Sequence, residues 1–156
     1  MILEKITSVE DLRKLPPEEL PPLAEELRQH ILNVVSRQGG HLASSLGAAD
    51  LILALHYVFD TPQDKLIFDV GHQAYVHKLL TGRKERFEKL REMDGCAGFP
   101  TPAEDPQFDP AVCGHAGTAI STALGLAQTD RNCKVIAVTG DGSLNCGISL
   151  EGLNNA

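Results

Sequence analysis

The run Val135-Ile136-Ala137-Val138-Thr139 stops on Gly140-Asp141-Gly142, and this junction leaves few architectures open. A short apolar run rich in β-branched residues and closed by glycine reads as a buried strand of a parallel sheet. The strand is expected over Cys133 to Thr139. One carboxylate, Asp141, then sits at its C-terminal tip between two glycines. Ligands of open α/β sheets bind at that end of the strands. A hard cation such as Mg²⁺ takes one or two protein carboxylates and completes its shell with phosphate oxygens and water. Lys65 to Val70, closed by Gly71-His72, reads as the second strand. A covered parallel sheet needs more than two strands. The sequence therefore predicts an α/β fold that is incomplete in this chain, completed by a further segment or by other chains. The chain also stops about one helix after Asp141, too early for a complete site.

Helical spacing fills the remainder. A short helix is expected over Val9 to Leu15, followed by the proline-rich stretch Pro16-Pro17 and Pro21-Pro22. Pro22 suits a first helical turn, and Leu23, Leu27, Ile31, Val34 and Val35 then repeat at helical period to about Arg37. Gly39-Gly40 ends that helix. Further helices are expected at about 43–58, 73–80, 83–92, 117–128 and 147–155. Between them, residues 94–113 form a Gly- and Pro-rich loop whose length favours a functional role.

Composition excludes several classes. The net charge of −7 argues against a nucleic-acid surface, although a bound metal would still reverse the local field for a phosphate. The most apolar run, Leu51 to Phe59, is far shorter than a membrane span. The N-terminus is too acidic and its apolar part too short for a signal peptide. Four cysteines without a C-x-x-C pair read as reduced thiols. A cytoplasmic protein is expected, or a plastid one without its transit peptide if the source is a plant.

Four loops carry possible chemistry: Gly39-Gly40-His41, Gly71-His72, Gly114-His115-Ala116-Gly117-Thr118 and Gly140-Asp141-Gly142-Ser143. Three place a histidine directly after glycine, where a helix is expected to begin. Helix N-termini attract anions, glycine lets a phosphate approach the backbone, and histidine moves a proton near neutral pH. Neither a dinucleotide fingerprint, a P-loop nor a G-x-S-x-G elbow is present. Other groups read as structural: His56 as a packed core or surface histidine, His30 as solvated helix surface, Cys146 as a small buried hydrophobe. Arg83-Lys84-Glu85-Arg86 reads as a solvated helix face, and Asp69 as a structural group that caps or hydrogen-bonds the turn before His72.

At these residues the chain resembles a known family. His41-Leu42-Ala43-Ser44-Ser45-Leu46-Gly47, Asp69-Val70-Gly71-His72-Gln73-Ala74-Tyr75 with His77-Lys78, Gly98-Phe99-Pro100, Gly114-His115 and Gly140-Asp141-Gly142 with Leu153-Asn154-Asn155-Ala156 carry the likeness. They resemble the N-terminal part of the 1-deoxy-D-xylulose 5-phosphate synthase family, thiamin-diphosphate enzymes of the transketolase superfamily. The resemblance runs from about residue 3 to 156. It implies a transketolase-like, parallel-sheet thiamin-diphosphate-binding fold. Residues 1–21 would be a helical, proline-rich lead-in and 22–156 a partial diphosphate-binding domain. It implies condensation of pyruvate, with loss of CO₂, and D-glyceraldehyde 3-phosphate, feeding isoprenoid, thiamin and pyridoxal synthesis, in a homodimer. Carried over by motif, Asp141 would be a Mg²⁺ ligand. Gly142 and Ser143 would line the diphosphate, and His72, Gly114, His115 and Ala116 would contact thiamin diphosphate. His41 and His72 would be the catalytic histidines.

The chain departs from the family where Gly114-His115-Ala116-Gly117-Thr118-Ala119 replaces the usual Gly-His-Ser-Ser-Thr-Ser, which removes a hydroxyl at Ala116. The second metal-ligating Asn and the activating glutamate of the family are not within these residues. The chain alone is therefore expected to be inactive. A fragment of another transketolase-type enzyme, a split subunit, or a degenerate non-catalytic domain are the alternatives.

Overall fold

A computed structural model describes residues 1–156. It is a mixed α/β structure with one small parallel sheet of two strands. The chain folds as two compact units, Met1–Asp60 with His72–Gly98, and Thr61–Gly71 with Phe99–Ala156. No helix is long and apolar enough to cross a membrane.

The first unit is helical: α1 (Ile2–Lys5), α2 (Val9–Arg13), a 3₁₀ turn at Pro17–Glu19, α3 (Leu20–Gln38), α4 (Leu42–Gly47), α5 (Ala49–Val58), α6 (Tyr75–Leu80) and α7 (Lys84–Phe87). The long helix α3 buries Leu23, Ala24, Leu27, Ile31, Val34 and Val35, the stripe its spacing predicts. Around it lie Leu3, Ile6, Leu12, Ile52, Leu79, Phe87 and Leu90, all buried. Gly39 ends α3 at φ +74, where a side chain would be strained. Helix α1 has only four residues and is held by distant charges. The Glu26 carboxylate accepts the Ile2 and Leu3 N–H groups at 3.0 and 2.8 Å. The Lys84 ammonium donates to the Leu3 and Ile6 carbonyls at 2.7 and 3.1 Å.

Several expectations change here. The helix expected over 43–58 is two, because Gly47 and Ala48 (φ −88, ψ 1) break it. The one expected over 83–92 stops at Phe87, since Arg91 and Asp94 adopt positive φ and the chain turns back, the Arg91 N–H reaching the Cys96 carbonyl at 2.7 Å. Arg83 and Lys84 are not a solvated face. Arg83 is buried and donates through Nη2 to Thr81 Oγ1 at 2.7 Å, and Lys84 is occupied at α1. His30 is not free surface either, since its Nε2 lies 3.1 Å from Glu88 Oε1. His56 is a packed core histidine, fully buried with Nε2 2.9 Å from His77 Nδ1.

The second unit holds β1 (Lys65–Phe68), α8 (Ala119–Thr129), β2 (Val135–Val138), α9 (Asp141–Leu144) and α10 (Gly147–Asn155). Strands β1 and β2 run parallel, with Lys65 opposite Val135 and Phe68 opposite Val138. The small face of α8 lies on the sheet: Ala119 and Ala123 pack with Ile67, joined by Leu126, Val135 and Ala137. Helix α10 comes close to α8, so that a Cβ on Gly152 would stand 2.9 Å from Ser121 Oγ. Strand β1 ends two residues before the expected Val70, which adopts φ +58. Helix α8 begins after Gly117, whose φ of +84 is incompatible with helix. Residues 99–113 are pinned by carboxylates: buried Asp109 accepts the Thr101 N–H at 2.9 Å, and Asp105 accepts those of Gln107 and Phe108.

Candidate functional site

The predicted site residues fall into two groups, one in each unit. In the first unit His41 and His72 come together, with ring centroids 5.9 Å apart in an edge-to-face arrangement. His41 stands at the start of α4. Its backbone N–H donates to the Tyr75 hydroxyl at 3.1 Å. The same hydroxyl presses on Gly40, where a Cβ would lie 2.6 Å away and φ is +140, so only glycine fits. Ser44 and Ser45 both donate to the His72 carbonyl, at 3.0 and 2.9 Å. The serine pair in the His41 motif thus holds the backbone of the second histidine. Burial, with His72 and Arg91 nearby, lowers the proton affinity of His41 below that of an ordinary histidine. Near neutral pH its imidazole is uncharged and able to accept a proton. The His72 Nδ1 atom is buried without a hydrogen-bond partner, an unsatisfied polar group of a kind uncommon in folded proteins.

In the second unit Asp69 organises the Gly-His loop. Its carboxylate, at the end of β1, accepts the Gly117 N–H at 2.9 Å and the Ala119 N–H at 3.1 Å. Ala119 opens α8, and the helix's own Thr118 supplies no side-chain cap. Asp69 therefore caps a helix some fifty residues away in sequence. Asp69 is structural, as the sequence predicts, though the turn it caps is the start of α8; at the turn before His72 the backbone bonds itself, Gly71 N–H to the Asp69 carbonyl at 2.6 Å. That tight turn forces Val70 into the left-handed region, an uncommon state for a β-branched residue.

With Gly117 anchored, Gly114, His115 and Ala116 stand exposed on the loop. Only His41 of the three Gly-His histidines starts a helix directly. Helix α6 begins at Tyr75 and α8 at Ala119, each several residues past its histidine. The Gly-Asp-Gly segment leaves β2 as the short turn α9, with Asp141 and Gly142 exposed. The Gly140 carbonyl accepts the Ser143 N–H at 3.0 Å. A Cβ on Gly114, Gly140 or Gly142 would meet nothing within 4 Å, so open space borders the backbone of both loops. Thr139 Oγ1, one residue before Gly140, is buried without a partner. No group of three or more His, Cys, Asp or Glu side chains converges on a metal position. Asp141 could hold a cation as one carboxylate among phosphate oxygens and waters, the ligand set Mg²⁺ accepts.

The sequence left three contributors unmarked: the Tyr75 hydroxyl, the Ser44–Ser45 pair and the true partner of Asp69. Their signal lay in the motifs themselves, hydroxyls and a carboxylate at fixed distances from Gly-His pairs. Loop contacts of this kind carry no periodicity by which to find them.

The family described as 1-deoxy-D-xylulose-5-phosphate synthase matches residues 3–156. The 1-deoxy-D-xylulose-5-phosphate synthase of Porphyromonas gingivalis is 54% identical across 99% of this chain and 25% of its own length. The 1-deoxy-D-xylulose-5-phosphate synthase 2 of Geobacter sulfurreducens is 55% identical over the same shares, and the 1-deoxy-D-xylulose-5-phosphate synthase of Dictyoglomus thermophilum 52%. The chain spans about a quarter of the length of these relatives. It belongs to the 1-deoxy-D-xylulose-5-phosphate synthase family, as an N-terminal part of it.

Proposed function

We propose that this chain is the diphosphate-binding part of a transferase that joins pyruvate, with loss of CO₂, to D-glyceraldehyde 3-phosphate. The product would be 1-deoxy-D-xylulose 5-phosphate, a precursor for isoprenoid, thiamin and pyridoxal synthesis. Family membership over residues 3–156 carries the proposal. The two unhindered loops of the second unit support it, one bearing His115 and the other Asp141.

The residues fit thiamin diphosphate and Mg²⁺. Asp141 would hold the metal, while the backbones of Gly142 and Ser143 would face the diphosphate. Gly114, His115 and Ala116 would border it from the other loop, with Ala116 offering no hydroxyl. By its motif, His72 would also be a cofactor-contacting residue. When bound, the cofactor supplies the carbanion-stabilising chemistry that decarboxylation of a 2-oxo acid requires. His41, uncharged near neutral pH, would accept or return a proton or bind a phosphate oxygen. Residues 22–156 would form the partial diphosphate-binding domain, behind a lead-in at 1–21. Its transketolase-like fold, its homodimeric assembly and its place in the cytoplasm belong to the same proposal.

A chimera tests the proposal. Residues 3–156 replace the aligned portion of the Porphyromonas gingivalis enzyme, which is 54% identical there. Synthase activity is expected in the chimera, and D141N is expected to abolish it and weaken Mn²⁺ binding by at least about tenfold. A folded chimera without activity, or a D141N form that binds Mn²⁺ as well as its parent, would refute the proposal.

A further inference from the structure

Ser149 lies in the first turns of α10, outside every motif above, and is fully buried. Its Oγ is 2.7 Å from the Ser143 carbonyl and 3.3 Å from the Gly117 carbonyl. A hydroxyl donates one proton. The shorter contact takes it, and the Gly117 carbonyl stands as a close neighbour of the same oxygen. Gly117 is gripped from its other side, its N–H bonded to Asp69. Its backbone is also pressed against the start of α10. A Cβ there would come 2.7 Å from Ile148 Cγ2, 2.9 Å from Cys146 Cβ and 3.2 Å from Ser149 Oγ. A continuous series of contacts thus runs from Asp69 through Gly117 and Ser149 to Ser143.

We infer that Ser149 is a positioning residue that fixes the spacing between the Gly114–Thr118 loop and the Asp141–Leu144 turn. Its functional meaning rests on the proposal that the two segments share one diphosphate–metal ligand. Gly114, Gly140 and Gly142 have open space beside them, so the exposed ends of both segments are not held by packing of their own. The buried hydroxyl adds a hydrogen bond that ties the Ser143 backbone to the packed junction of Gly117 and α10. It donates to the Ser143 carbonyl and packs against Gly117, which leaves their exposed neighbours Gly142 and Ala116 available to a ligand.

The test is coupling across the junction, read without ligand by backbone amide NMR of the 156-residue chain. D69N disturbs one side and is read at Ser143 and Leu144. D141N, outside the core, disturbs the other and is read at Gly117 and Ala119. Both disturbances are expected to cross in the parent chain and to vanish in an S149A background that keeps its far-UV circular dichroism. S149T, which keeps the hydroxyl, is expected to restore them. Equal transmission with and without the Ser149 hydroxyl, or none in the parent, overturns the inference. In the chimera, S149A is expected to raise the Kd for Mn²⁺ with thiamin diphosphate about tenfold, and an unchanged Kd counts against the positioning role. The ligand-free measurement stands even where the chimera proves inactive, so the two failures are separable.

Discussion

Replacing Asp69 with alanine removes the carboxylate that caps α8. Two buried N–H groups, of Gly117 and Ala119, lose a carboxylate acceptor at 2.9 and 3.1 Å. Bonds to a charged group contribute about 1.5–3 kcal/mol each, and a buried donor left bare costs about 1–3 kcal/mol. Removing a buried carboxylate also relieves its own desolvation, which offsets part of the loss. The net expectation is about 3 kcal/mol of destabilisation, or roughly 6–12 °C in Tm for a chain of this size. D69N keeps one oxygen and is expected to fall between. Urea unfolding followed by circular dichroism gives the magnitude. Hydrogen exchange gives the location, with protection lost first at Gly117 and Ala119 and α3 little affected. A loss under about 1 kcal/mol for D69A, or exchange that rises evenly over the chain, would refute the assignment of Asp69 as a remote helix cap.

Two further outcomes follow from the first unit. G40A would put a methyl 2.6 Å from the Tyr75 hydroxyl at φ +140. It is expected to destabilise by about 2 kcal/mol or more and to shift the His41 imidazole signals, whereas Y75F alone is expected to cost about 1 kcal/mol. The second outcome concerns pH. Burial, reinforced by His77, Arg13 and Arg83, holds the His56 proton affinity well below that of a free histidine. Below about pH 6.5 the unfolded chain takes up a proton that the folded chain refuses. Stability therefore falls as pH drops through that value, and His30 and His41, also lowered, act in the same direction. Urea unfolding at pH 7.5 and 5.5 should show the loss, and H56Q should reduce it; a pH-independent free energy in the parent chain would contradict this.

The elements legible in the sequence were those with a strong period or sharp punctuation. The stripe of α3 from Leu23 to Val35, the β-branched run of β2 and the small face of α8 are each recorded in residue type. Boundaries were read poorly wherever a backbone conformation, not a residue type, ended the element. Val70 and Arg91 at positive φ are invisible in composition because neither residue favours that state. Buried charge was the other blind spot. Arg83 and Lys84 look like a helix surface until the carbonyls and hydroxyl they serve are located. For the site, glycine and histidine marked the loops, but the groups that hold those loops are ordinary Ser, Tyr and Asp residues brought in by tertiary contact.

Val70 bears on how this protein would respond to engineering. Stabilisation campaigns favour glycine or asparagine wherever φ is positive, and at φ +58 a valine stores about 1–3 kcal/mol of backbone strain. Relaxing that position would raise the melting temperature while loosening the one residue between the Asp69 anchor and the Gly71-His72 pair. A screen scored on heat resistance alone would therefore select against the precision of this turn.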